Sequence, residues 1–275
     1  MIDPRGQVGR FAGRWMHWRE RRGDGPAVVL MSGCGLAMEY WRELNRLLEG
    51  RHVLAYDRPG MGGTRWPGRM PTLLEEVDSL AALLDSRGVR GAVLVAHSMA
   101  SFHAEALARI RPDLVSGIVM VDGSVEWYSR APSTPTAGLA TRGVELVDTL
   151  NLNRLAGLVW RLGTALQSTW QFSRLGYGRL PAIYADRQSL LMATAESFAY
   201  EHQGWDLQQL RTQRPWPAVP VVVLSAADSD GGREIPDQLR LARLLGGGQV
   251  VVDGSKHLMM LDRPDAIARA VKGLR

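Results

Sequence analysis

Short, β-branched apolar runs at residues 27–31, 53–56, 92–95, 118–121 and 219–224 are too brief for helices and too continuously apolar for half-exposed strands, so they predict buried strands. Between them the apolar positions change period. Leu73, Val77, Leu80, Leu83 and Leu84 recur at helical spacing over 73–87, and helices are also expected at 39–48 and 102–110. A strand at 15–20 precedes the turn Gly23-Asp24-Gly25. A helix near 236–245, a strand at 249–252 and a last helix from Pro264 complete the series. Strands alternating with helices in this way imply an α/β fold: a mostly parallel central sheet covered by helices on both faces.

The alternation breaks between about Ser124 and Pro217. Leu155, Leu158, Val159, Leu162 and Leu166 keep helical spacing there, tryptophans are frequent (Trp127, Trp160, Trp170, Trp205, Trp216), and Pro132, Pro135 and Pro181 interrupt. The expected organisation is a core of residues 1–123 and 218–275 with an inserted helical cap at 124–217 standing over the strand ends. A helical subdomain that merely completes the core describes most of the same residues equally well.

Composition narrows the function. With 275 residues, 45% hydrophobic and 22% charged, the chain suits one α/β domain with an insertion. No continuous apolar stretch marks a secretory signal in the first thirty residues or a membrane span elsewhere, so cytoplasmic residence is expected. The single cysteine, Cys34, excludes an intrachain disulfide and a cysteine-rich zinc site, and no metal or cofactor is expected. The net charge of +5 is spread over arginines interleaved with acids, such as Arg87, Arg90, Arg109 and Arg111 beside Asp85, Glu105 and Asp113. That is a solvated surface rather than a nucleic-acid face. The expected partner is a small-molecule substrate.

The chemistry centres on Ala96-His97-Ser98-Met99-Ala100, which joins the run at 92–95 to the helix at 102–110. A serine at such a strand-to-helix corner is a nucleophile elbow, where a strained turn lifts Oγ above the sheet within reach of a base. The usual pattern is G-x-S-x-G, with small flanking residues because strand and helix pack closely; here both glycines are alanines.

Three further loops fall at predicted strand ends in a matching order: Ser32-Gly33-Cys34-Gly35, then Asp57-Arg58-Pro59-Gly60-Met61-Gly62-Gly63-Thr64, then Gly254-Ser255-Lys256-His257-Leu258. With the elbow they resemble the α/β-hydrolase fold over nearly the whole chain, in its His-Gly-x loop, its D-x-x-G-x-G-x-S loop and its G-x-G-H turn. Ser32 departs from that pattern by replacing the histidine. Gly60-Met61-Gly62 lacks the following helix and the later acid of a dinucleotide site.

The resemblance implies Ser98 as nucleophile and His257 as its base. The other histidines fall in the early strand (His17), before a strand (His52), beside the nucleophile (His97), on the elbow helix (His103) and in the cap (His202). Chain order puts the acid after the run at 219–224, which offers Asp230 and Asp228; Asp122, ending the run at 118–121, is the alternative because some members of the fold carry the acid there. Asp230 is preferred, then Asp122, then Asp228. The backbone N–H groups of Cys34 and Met99 are the implied oxyanion donors.

A serine hydrolase of esters or related acyl bonds (lactone, thioester, amide) is the leading expectation. A serine at 98 argues against the nucleophilic aspartate of haloalkane and epoxide hydrolases. The cap tryptophans suggest a substrate with a hydrophobic part. The competing readings are a carbon-carbon bond hydrolase or acyltransferase on the same fold, a noncatalytic binding homologue, and a membrane-surface lipase whose cap carries an interfacial helix.

Overall fold

A computed structural model of the chain describes residues 6–128, 131–133, 137–169 and 178–274. The apolar runs fall in strands of one eight-stranded sheet, the one at 219–224 from Val221 onward. In chain order the strands are β1 (Gln7–Phe11), β2 (Arg14–Arg21), β3 (Asp24–Met31), β4 (Arg51–Asp57), β5 (Ala92–His97), β6 (Val115–Val121), β7 (Val221–Ala226) and β8 (Gly248–Val252), arranged β1-β2-β4-β3-β5-β6-β7-β8. β1 and β2 pair antiparallel, and the strands from β4 across to β8 are parallel.

Side-chain alternation divides the core between the two faces of the sheet. Val29, Met31, Leu94, Ala96, Ile118 and Met120 face one side; Val28, Leu30, Val93, Val95, Val119 and Val121 face the other. On the first side pack α2 (Leu73–Ser86), α3 (Ala100–Ile110) and α8 (Ile235–Leu244), and on the second α1 (Arg42–Leu47), α9 (Met259–Asp262) and α10 (Pro264–Gly273). Every residue of β5 is buried, as its unbroken apolar run requires.

Local signals set the helix starts. Thr72 and Glu75 form a reciprocal capping box at the head of α2. The helix expected at 39–48 is shorter, a 3₁₀ turn at Met38–Trp41 followed by α1.

Between β6 and β7 the chain forms α4 (Ala137–Thr149), α5 (Asn153–Ala165), α6 (Leu180–Tyr184) and α7 (Arg187–Gln213). At 27 residues α7 is about 40 Å long. Asp186 caps it by accepting the Ser189 N–H at 3.1 Å. It buries Met192 and Ala193 against one core and Leu207 and Leu210 against the other, so it spans both. Of the apolar positions picked out on α5, Leu155, Leu158 and Val159 are exposed. Trp170 and Pro135 lie outside the described residues. Among the described residues, no helix is long and apolar enough to cross a membrane.

Candidate active site

The C-terminal ends of β5, β6 and β8 bring Ser98, Asp122 and His257 to one edge of the sheet. Ser98 follows β5 at φ +52, a left-handed conformation costing roughly 1–2 kcal/mol in a non-glycine residue. Neighbours hold it there: its N–H donates to Val121 O at 3.2 Å and its carbonyl accepts from Ser101 at 2.9 Å. The closest approaches at this corner fall on other glycines. A Cβ at Gly123 would lie 2.4 Å from Ser101 Oγ, and one at Gly33 would lie 2.9 Å from Ser98 Cβ. Ala96 and Ala100, standing where the elbow usually has glycine, are fully buried.

His257 Nδ1 meets Asp122 Oδ2 at 2.7 Å. That nitrogen donates to the carboxylate, which leaves Nε2 with the lone pair a base needs. Asp122 Oδ1 accepts the Ala226 N–H at 3.0 Å and Gln238 Nε2 at 3.2 Å. Burial by itself would raise this carboxyl, but the bond and charge of His257, with the Ala226 and Gln238 donors, hold it below the usual carboxylate range.

The preferred acid from the sequence, Asp230, is not the residue on His257. Asp230 and Asp228 are exposed in the turn after β7, where they line a cavity of about 790 Å³ together with His257 and Glu234. Asp122 occupies the position because β6 lies beside β5, and its own φ of +43 turns the carboxylate over the end of β7 to meet Ala226.

The other histidines are bound elsewhere. His17 and His52 meet Asp57 and Glu20, both at 2.8 Å, on the β2 side of the sheet; His103 meets Gln203 at 2.6 Å and His202 meets Ser133 O at 2.7 Å. His97 supports His257 directly. Its Nε2 donates to His257 O at 2.9 Å and the two rings lie 4.6 Å apart. Burial first, and then the neighbouring His257, push the His97 imidazole down to about 3, so it is neutral.

Met99 opens α3 directly after Ser98. Cys34 lies across from it in the loop after β3, where burial and then the Glu196 charge push its thiol up to about 12; an un-ionised thiol is a poor nucleophile. Ser32, in place of the fold's usual histidine, accepts Trp41 Nε1–H at 3.0 Å. Sequence reasoning passed over two contacts at this edge. Ser98 Oγ lies 3.4 Å from Ser124 Oγ, and Arg58 and Glu196 form a buried ion pair against the Cys34 loop. Arg58 lies in the glycine-rich loop after Asp57, but nothing in its spacing marks its partner 138 residues away.

A cavity of about 500 Å³ opens beside Cys34, lined by Ser133, Ser197, Phe198, Tyr200, Glu201 and His202. Of the two cavities at this edge, the one beside Cys34 carries Phe198 and Tyr200, and the one beside His257 is lined mainly by charged and polar side chains.

A relative named for carbamate hydrolysis, RutD of Pseudomonas syringae, is 33% identical over 113 residues, 40% of this chain and 42% of the relative. The match thus spans about two fifths of that relative's length. The (E)-2-((N-methylformamido)methylene)succinate hydrolase of Acinetobacter baylyi is 22% identical across 94% of this chain and 93% of its own. Among solved structures, Cfl2 of Burkholderia cenocepacia superposes with a TM-score of 0.79 at 20% identity, covering 98% of this chain and 95% of that one. The enol-lactonase of Burkholderia xenovorans gives 0.71 at 18% identity, covering 98% of this chain and 99% of that one. The profile of the alpha/beta hydrolase family matches residues 28–270, and with that span of sheet, elbow and strand-end loops the chain belongs to the alpha/beta hydrolase family.

Proposed function

We propose that the protein is a serine hydrolase cleaving a carboxylic ester or a related acyl bond (lactone, thioester, amide or carbamate) through an acyl-enzyme on Ser98. The observation that carries this reading is the 2.7 Å bond from His257 Nδ1 to Asp122 Oδ2 at the sheet edge where Ser98 stands at φ +52. His257 Nε2 takes the Ser98 proton as Oγ attacks the acyl carbon. The N–H groups of Cys34 and Met99 receive the oxyanion, a contribution of about 3–4 kcal/mol per donor to the barrier. His257 then protonates the leaving group, and water activated by the same nitrogen releases the acid. Asp122 keeps the imidazole in the tautomer that does this. The relatives named for carbamate and lactone hydrolysis support trying those bonds first.

The substrate's acyl part fits the Cys34 cavity, where Phe198 and Tyr200 offer apolar surface, and its leaving group fits the polar cavity of Asp228, Asp230, Glu234 and Lys256. Incubation with a fluorophosphonate followed by peptide mass spectrometry is the test. A single adduct on Ser98, absent in Ser98→Ala, is expected, with turnover of short p-nitrophenyl esters or lactones. No adduct in folded protein would favour a noncatalytic binding homologue.

A further inference from the structure

The loop carrying Cys34 is held by two opposite charges. Arg58, in the loop after β4, and Glu196, on α7, form an ion pair whose side chains are 2% and 1% exposed. Arg58 Nη1 donates to Ser32 O at 2.5 Å and Nη2 to Gly33 O at 2.6 Å; Nε and Nη2 also reach the Glu196 carboxylate, the latter at 2.8 Å. Glu196 Oε2 accepts the Gly35 N–H at 2.6 Å.

Gly33 O and the Cys34 N–H belong to one peptide unit, and in a planar trans peptide the carbonyl and the N–H point in opposite directions. A guanidinium fixed on Gly33 O therefore turns the Cys34 N–H to the far side of the loop from Arg58. Gly33 is also where the loop presses on the nucleophile, since a Cβ there would stand 2.9 Å from Ser98 Cβ. A cation on the carbonyl further polarises the amide and makes its N–H a stronger donor. Stability alone does not call for this pair, because buried ion pairs are commonly matched by apolar residues of similar volume.

We propose that Arg58 and Glu196 are positioning residues which orient and polarise the Gly33–Cys34 peptide as an oxyanion donor, so that the helices inserted after β6 complete the hole through one carboxylate. This rests on the serine-hydrolase reading.

The experiment compares Arg58→Lys, Glu196→Gln and the double variant R58Q/E196Q with a variant of another buried carboxylate, Glu20→Gln on β2, which removes the charge facing His52 and Arg87. Three quantities are read on each folded protein: the fluorophosphonate labelling rate at Ser98, kcat and KM on one ester, and the inhibition constant of a boronic acid, whose tetrahedral adduct bears the oxyanion. Loss of orientation predicts about 10- to 100-fold slower labelling and lower kcat in Arg58→Lys and in the double variant, with boronate binding weakened to match and KM within about threefold. Glu196→Gln, which keeps the shape and an acceptor for Gly35, loses less. Glu20→Gln lowers the melting temperature without touching the labelling rate. Arg58→Lys that fails to fold leaves the decision to the charge-free double variant. Wild-type labelling and boronate affinity in the folded variants would overturn the proposal, as would losses tracking melting temperature equally in Glu20→Gln. Failure of the wild type itself to label at Ser98 would instead sink the serine-hydrolase reading.

Discussion

At the C-terminal edge of the sheet, Asp122-Gly123 after β6 and Asp230-Gly231 after β7 share an Asp-Gly step whose aspartate adopts φ +43. Residue types and aspartate backbone are the same, yet the surroundings are opposite. Asp122 is 1% exposed and accepts from His257, Ala226 and Gln238. Asp230 is exposed, in a turn that reaches the mouth of the cavity beside His257. A left-handed aspartate at a strand end is therefore not enough to orient a histidine; the position of its strand in the sheet decides.

The sharpest way to break the contrast is to neutralise each carboxylate in turn. Asp122→Asn replaces the acceptor facing His257 Nδ1 with an amide that favours the wrong tautomer, and the labelling rate at Ser98 should fall about 10⁴-fold. Asp230→Asn should stay within about threefold. Equal losses in the two variants would erase the distinction.

Acid should expose the buried side next. His97 is held neutral in the fold with its pKa depressed to about 3, so the unfolded chain binds the proton first as pH falls. Its contribution to stability is present above about pH 6.5 and is lost below it at about 1.4 kcal/mol per pH unit, down to the folded value. Asp122, also depressed, adds a further loss below about pH 4. Urea denaturation at pH 7, 6 and 5 should show the first slope, and His97→Gln should flatten it.

The two glycines give the smallest effects. Gly123→Ala drives a Cβ to within 2.4 Å of Ser101 Oγ and should cost about 1–3 kcal/mol by overpacking. Gly231→Ala meets open space and carries only the strain of φ +66, about 1 kcal/mol. Melting curves of the two proteins rank them.

Much of this was written along the chain. The runs at 92–95 and 118–121 are apolar on both faces because β5 and β6 are central, and Ser98 and His257 stand at strand ends that loops of recognisable composition mark. The carboxylate that meets His257 was legible only as one of three candidates, since choosing Asp122 over Asp230 and Asp228 requires knowing which backbone N–H and which imidazole each carboxylate meets. The edge strand β1 was missed for a different reason: Gln7–Phe11 is largely exposed and shows no apolar alternation. α7 buries Leu190, Met192, Ala195, Glu196, Gln203 and Leu207 around its circumference, so no single stripe announces 27 helical residues.

The bond between Glu196 and Arg58 also limits how freely the parts of this molecule can be exchanged. A sheet whose active-site edge is self-contained would accept a foreign set of helices between β6 and β7 as a new specificity module. Here such a graft would strand a buried guanidinium on the Ser32 and Gly33 carbonyls with no counter-charge. Any transplanted insertion must bring a carboxylate to that spot, or the core must give up its arginine along with its own helices.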